Sequence, residues 1–316
     1  MPRTDLPTPA SARRWMPGRR FVIAVPYGWL VVFFLLPFLI LLYISFVDMG
    51  NDIHPFKSLR DPVTGALKLE WENYLSVFRP TDGGPLFYTL YVDAYLRALR
   101  YALWTTLLCL VIGYPFAYFI ARSPASVRPA LLLMVMLPFW TSFLLRVYAW
   151  KGILADQGIV NRALMAVGLT DEPLHLLYSD VSMLVGMTYV YLPFMVLPLY
   201  ATLVKQDLRL LEAAYDLGAS PWKAFWLVTV PLSRAGIVAG SMLVFIPSVG
   251  EFVIPSLLGG PENLMIGRVL WDEMFTSNNW PRATALAVVM IGLIIVPLML
   301  YYRYGGSNRA ASGAAR

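Results

Sequence analysis

Apolar residues along this chain run in long, nearly unbroken blocks, and polar residues collect between the blocks instead of alternating within them. Six blocks, at about residues 24–47, 97–121, 130–150, 181–203, 235–258 and 283–304, suffice at 1.5 Å rise per residue to cross a hydrocarbon core of about 30 Å. Helices that are apolar on every side belong in lipid or in a large core. The pattern therefore predicts an all-α integral membrane protein with six transmembrane helices. The first block follows Arg13, Arg14, Arg19 and Arg20, as a secretory signal would. It outruns the roughly 7 to 15 apolar residues of a cleaved signal and reaches Asp48 without a small-residue cleavage site, so it reads as a retained helix.

Composition removes the alternatives. Of 316 residues, 58% are hydrophobic and 14% charged, against about 25% charged in a soluble domain. Mean hydropathy is +0.62, which excludes a cytosolic globular enzyme and a disordered chain alike. Cys109 is the single cysteine and sits inside an apolar block, so no intramolecular disulfide forms. His54 and His175 have no His or Cys neighbour at metal-ligand spacing, and no metal centre is expected.

The net charge of +6 reflects topology and not nucleic acid. With the N-terminus in the cytoplasm, the inner side holds 14 basic and 4 acidic residues and the outer side 11 basic and 14 acidic, so both termini are expected inside. The layout is then a cytoplasmic tail at 1–23, the first helix at 24–47, a periplasmic loop at 48–96, a transmembrane domain at 97–304 and a second tail at 305–316. Pro37, Pro115, Pro138, Pro193, Pro198, Pro247, Pro255 and Pro297 fall within apolar blocks. Kinked helices survive in membranes where neighbours or a water-filled cavity satisfy the freed carbonyls, so the helices are expected to line something.

The loop at 204–234 is longer than the other inside connections and predicts two short helices. Asp207 caps the first, and Leu208, Leu211 and Tyr215 share one of its faces. Gly218 closes it in the left-handed conformation. Ser220 and Pro221 open the second at the N-cap and first helical positions, and Pro231 is expected to stop it. The product is a bent amphipathic pair with a glycine corner. Such a pair either grips a partner or rests on lipid headgroups.

The spacing Glu212, Ala213, Ala214, then Gly218, then Val228, Val230 and Pro231 resembles the EAA signature of permease subunits of binding-protein-dependent ABC importers. Val228 and Val230 stand where that family usually has Ile and Leu. In that family the loop is a coupling helix seated in a cleft of a cytoplasmic ATPase. The resemblance thus implies a type I ABC importer permease fold and a coupling role for Glu212, Ala213, Ala214, Gly218 and Pro231. It also implies a homologous second permease subunit, two cytoplasmic ATPase subunits that carry ATP and Mg, and a periplasmic polyamine-binding protein. No cofactor is expected on this chain. The stretches 137–140, 145–150, 250–255, 258–261 and 265–271 look like polyamine permeases, most like the putrescine type, with spermidine left open.

Glu251 is the one acid well inside an apolar block, placed after Gly250 and between Pro247 and Pro255, where local unwinding is expected. A carboxylate there either faces a cationic cargo or pairs with Arg146. Tyr189, Tyr191, Trp140, Tyr148 and Trp150 offer further ring faces to a cation, although Tyr148 and Trp150 equally suit a membrane-interface belt. The chain has no G-x-x-x-x-G-K-[ST] loop, and none of its five lysines follows a glycine. With no histidine in a span to act as base, an enzyme is not expected, and the energy comes from a partner or a gradient. A secondary transporter or channel subunit would share the kinks and the buried carboxylate, but it would have no use for the coupling-type loop.

Overall fold

The computed structural model describes residues 18–50, 55–60, 65–79 and 90–305, so most of the two tails and His54 lie outside the described residues. The first span is α1 (Gly18–Leu30), a π-turn (Val31–Leu35) and α2 (Leu36–Ser45). In the π-turn the Leu36 N–H reaches back five residues to the Val31 carbonyl. That wider turn lets the helix pass Pro37, which has no N–H of its own to give. A short helix, α3 (Glu72–Phe78), latches onto the end of this span. The Asn73 side-chain amide donates to the carbonyls of Ser45 and Val47 at 3.1 and 2.8 Å, satisfying acceptors that the helix end leaves open. Nearby, the ammonium of Lys57, hydrogen-bonded 2.8 Å from Asp48, holds that carboxyl below its usual range.

The next span, α4 (Leu90–Arg122), has 33 residues and begins seven residues before the apolar block does. Its first turns carry Asp93, Arg97 and Arg100 but bury Ala94, Tyr95 and Ala98, an amphipathic pattern that a search for unbroken apolar runs cuts short. The block at 130–150 is not one continuous helix. It divides into α5 (Arg128–Met136) with a 3₁₀ turn (Leu137–Trp140) and, after a break, α6 (Phe143–Leu154) and α7 (Ile159–Ala166), the two arms meeting at 88°. Pro138 tightens the turn, and the Thr141 hydroxyl donates to the Pro138 carbonyl at 2.7 Å, replacing a bond that a continuing helix would have made. Buried Asn161 then ties the return loop, donating to Ala155 O and Leu174 O and accepting from Leu174 N.

Helix α8 (Asp180–Leu203) starts on a capping box between Ser179 and Ser182 and runs through Pro193 and Pro198. After it come α9 (Arg209–Asp216), α10 (Pro221–Ala224), a second π-turn (Phe225–Thr229) and α11 (Val230–Leu232). A 66° bend at Ser233 leads into α12 (Arg234–Val249). The block at 235–258 is then unwound from Gly250 to Phe252 before α13 (Val253–Leu258), where the sequence anticipates it. The chain finishes with α14 (Ile266–Trp271), a third π-turn (Asp272–Thr276) and α15 (Trp280–Gly305). Among the described residues three helices are long and apolar enough to cross a membrane unaided, five if each bent pair forms one span, and the 26-residue α15 is a further apolar helix.

The core is the mutual packing of α4, α8 and α12, while the first span lies against α15. Small residues allow the close approach that membrane helices need when lipid offers them no hydrophobic drive to associate. A Cβ placed on Gly236 would lie 2.5 Å from Thr202 Oγ1 and 2.8 Å from the Pro198 carbonyl oxygen. A backbone atom cannot step aside, so Gly236→Val is expected to destabilise the protein by about 1–3 kcal/mol. Thermal unfolding of the purified protein, read against Gly292→Ala, where a Cβ meets nothing within 4 Å, checks this.

Candidate functional site

Two groups of predicted residues come together, and they lie in different parts of the fold. The first is the corner of the 204–234 loop. The backbone N–H of Arg209 bonds to Asp207 Oδ1 at 3.0 Å, so the first short helix begins where its cap predicts. It ends in a Schellman closure. The Gly218 N–H bonds to Tyr215 O at 2.8 Å and the Ala219 N–H to Ala214 O at 2.9 Å, with Gly218 at φ +81°. Ser220 then accepts from the Lys223 N–H, opening α10 with Pro221 at its first position.

Pro231 does not stop the second helix. The Val230 N–H bonds to Phe225 O, five residues back, and this π-turn accommodates the proline ring so that the helix continues to Leu232 and breaks at Ser233. Of the expected apolar face, Leu211 alone is buried; Leu208 and Tyr215 are exposed. At the corner itself Leu217 is 89% exposed and Trp222 70% exposed. Neither was singled out by the sequence reading, although both flank the glycine corner within four residues.

The corner packs against the bundle. Trp222 stacks on Phe225 at 6.0 Å, and Phe225 meets the Tyr114 and Tyr118 rings of α4 edge-on, each at 5.6 Å. The Tyr114 hydroxyl lies 2.8 Å from Ser233 Oγ at the bend into α12, and Gln206 Nε2 donates to Thr229 O at 3.0 Å. Packed rings and hydrogen bonds thus connect Trp222 to α4 and to the bend into α12.

The second group centres on Glu251. Its Oε1 accepts from the backbone N–H groups of Phe252, Val253 and Ile254 at 3.1, 3.0 and 3.4 Å, capping α13. Its Oε2 accepts from the Tyr191 hydroxyl at 2.6 Å. The backbone is held from behind as well, because Gly267 packs so closely that a Cβ there would come 2.6 Å from Glu251 O. The charge is thus held in place by four donors.

The alternative pairing with Arg146 is overturned, since no ion pair joins the two among the described residues. Arg146 lies beyond the 88° break, with its guanidinium carbon 5.0 Å from the Phe139 ring centre. A straight third span would have carried it elsewhere.

Tyr191 opens onto a cleft of 580 Å³ between α8, α12 and α15, lined also by Phe194, Met242 and Pro247. Phe194 lies three residues on from Tyr191, on the same helix face, which is the signal that would have found it. Tyr189 does not share this cleft. Two residues are about 200° apart around a helix, and Tyr189 turns to a separate cavity of 330 Å³ against α4 and α5. Trp150 meets the Tyr189 ring edge-on at 5.4 Å. Trp140 and Tyr148 join neither group and are exposed.

The family model for the binding-protein-dependent transport system inner membrane component matches residues 113–305. The spermidine/putrescine transport system permease protein PotB of Haemophilus influenzae is 37% identical over 90% of this chain and 93% of its own length. PotB of Escherichia coli is 36% identical over 89% of this chain and 96% of its own. A bacterial ABC transporter involved in the import of the acidic polysaccharide alginate has a chain of similar fold, with a TM-score of 0.59 at 18% identity, covering 90% of this chain and 94% of that one. A multi-pass helical bundle with this family match is a transport subunit and not an enzyme. The chain belongs to the binding-protein-dependent transport system inner membrane components, the permeases of ABC importers.

Proposed function

We propose that this chain is a permease subunit of an ATP-driven type I importer for polyamines, with putrescine as its cargo. The observation that carries the cargo assignment is the immobilised Glu251 carboxylate, bonded to Tyr191, whose side chain lines the 580 Å³ cleft. A carboxylate held in a low-dielectric bundle stabilises a passing ammonium group. The ring faces of Tyr191 and Phe194 add about 0.5–2 kcal/mol each, weak enough for the cargo to leave. Relatives named for spermidine and putrescine, matched over most of both chains, support the same class of cargo.

Both termini lie in the cytoplasm, which puts the 204–234 loop there too. A periplasmic binding protein delivers the cation outside, and a homologous second permease completes the path. Two cytoplasmic ATPase subunits carrying ATP and Mg seat the Gly218 corner. Their closure moves Trp222 and Phe225 against Tyr114 and Tyr118 and bends the chain at Ser233, switching access across the bilayer. Uptake of labelled putrescine into vesicles supplied with ATP is expected to be saturable and to be displaced by unlabelled putrescine at lower concentration than by spermidine. Uptake that neither amine displaces would remove the cargo assignment.

A further inference from the structure

We infer that the 330 Å³ cleft between α4, α5 and α8 holds an acyl chain of an anionic phospholipid whose phosphate rests on Arg128. Phe116, Phe119 and Met134 line the cleft and are exposed, and Tyr189 supplies its one polar side chain. No acid lines it, so a diammonium cargo would lose water there without gaining a counter-charge. The first span lies against α15 and leaves the cleft uncovered. An exposed apolar patch of this kind at membrane depth takes hydrocarbon.

Charge marks one end of the cleft. Arg128 precedes Leu131 by three residues on α5, and Ser123 follows Phe119 by four at the end of α4, so both stand one turn beyond the cleft on the faces that line it. The Arg128 Nε donates to Ser123 O at 2.8 Å, which draws the guanidinium across that end. Arg122 adds a second positive charge at this level, its guanidinium carbon 5.1 Å from the Tyr118 ring centre. Residues 123–127 contain no acid, and among the described residues no acid forms an ion pair with either arginine. In the first turn of α5 the Arg128 charge also opposes the helix dipole. A phosphate satisfies the arginine and the dipole together. The depth agrees. From Leu131 to Pro138 the lining covers roughly 10 Å along α5 and its 3₁₀ turn, which fits within one leaflet of a hydrocarbon core of about 30 Å. The inference is independent of the cargo and of which side of the membrane is cytoplasmic.

The test uses the assembled importer in vesicles of phosphatidylcholine with phosphatidylglycerol as the minor lipid. A photoreactive residue at Met134 is expected to capture phosphatidylglycerol about fivefold above its share of the vesicle, the bias that one basic residue provides at an anionic surface; mass spectrometry of the adducts reads the ratio. Adducts in the bulk proportion, or adducts with the second permease in place of lipid, would overturn the site. Arg128→Gln is expected to abolish the bias while lipid adducts persist, and Arg128→Lys to keep most of it. A bias that survives Arg128→Gln would overturn the headgroup assignment. Where the Gln variant does not assemble, raising the salt around the native protein is expected to shrink the bias, and a bias indifferent to salt would overturn the pairing equally.

Discussion

Replacing Gly218 by valine is expected to reduce ATP-driven uptake tenfold or more while the chain still reaches the membrane. The reason is conformational and not steric. A Cβ at Gly218 would meet nothing within 4 Å, but the residue sits at φ +81°, where an L-residue costs about 1–2 kcal/mol and a β-branched one more. At about 1.4 kcal/mol per factor of ten, that strain depopulates the corner that presents Leu217 and Trp222. The Schellman bonds to Tyr215 O and Ala214 O depend on the same backbone angle. Asparagine tolerates the left-handed region, so Gly218→Asn should keep most of the activity. If the valine variant transports as well as the native protein, the corner transmits nothing. If the asparagine variant fails as badly as valine, side-chain bulk at the docking surface is responsible and not the backbone.

Glu251→Gln is expected to lower uptake by tenfold or more with the importer fully assembled. The glutamine carbonyl still accepts from the N–H groups of Phe252, Val253 and Ile254, and the amide still reaches Tyr191, so the start of α13 survives. Only the charge is lost. Beside an ammonium at about 4 Å it is worth up to about 4 kcal/mol at an effective dielectric of about 20, before desolvation of the cargo is subtracted. Glu251→Ala removes the cap as well, and is expected to cost a further ~1 kcal/mol in stability. Native uptake by the Gln variant would reduce Glu251 to a helix cap. Loss of the assembled complex in that variant would make it structural.

Much of the 204–234 corner is legible in the sequence because its determinants are local. Gly218 needs a left-handed φ, Ser220 caps within three residues, and Pro221 suits a first helical position regardless of what packs nearby. Pro231 does not stop the helix as the sequence predicts, because the chain absorbs the ring. The π-turn that absorbs the proline is a five-residue backbone adjustment with no side-chain signature.

The membrane interior was legible as far as Glu251 and its unwound flank, because Gly250, Pro247 and Pro255 mark that break directly. Which residues meet there was not. Arg146 and Glu251 are both plausible partners by sequence, but the structure gives the Arg146 guanidinium to the Phe139 and Phe143 rings and Glu251 to Tyr191 and the start of α13. Tyr189 and Tyr191 both offer ring faces to a cation, yet helix geometry sends them to different cavities. Their separation was computable from periodicity alone. The exposure of Leu217 and Trp222 was not, since apolar residues on a short amphipathic helix face a core or a partner equally well.

The central claim is that the Gly218 corner is where nucleotide-driven force enters the bundle. Cys109 is the single native cysteine and is buried, so Leu217→Cys places one accessible thiol at the tip of the corner. Thiol-directed crosslinking of that variant in the assembled importer is expected to join this chain to a cytoplasmic ATPase subunit, with a yield that changes when nucleotide is added. A crosslink that reaches only lipid, or an accessible thiol that joins no nucleotide-hydrolysing partner, would contradict the account.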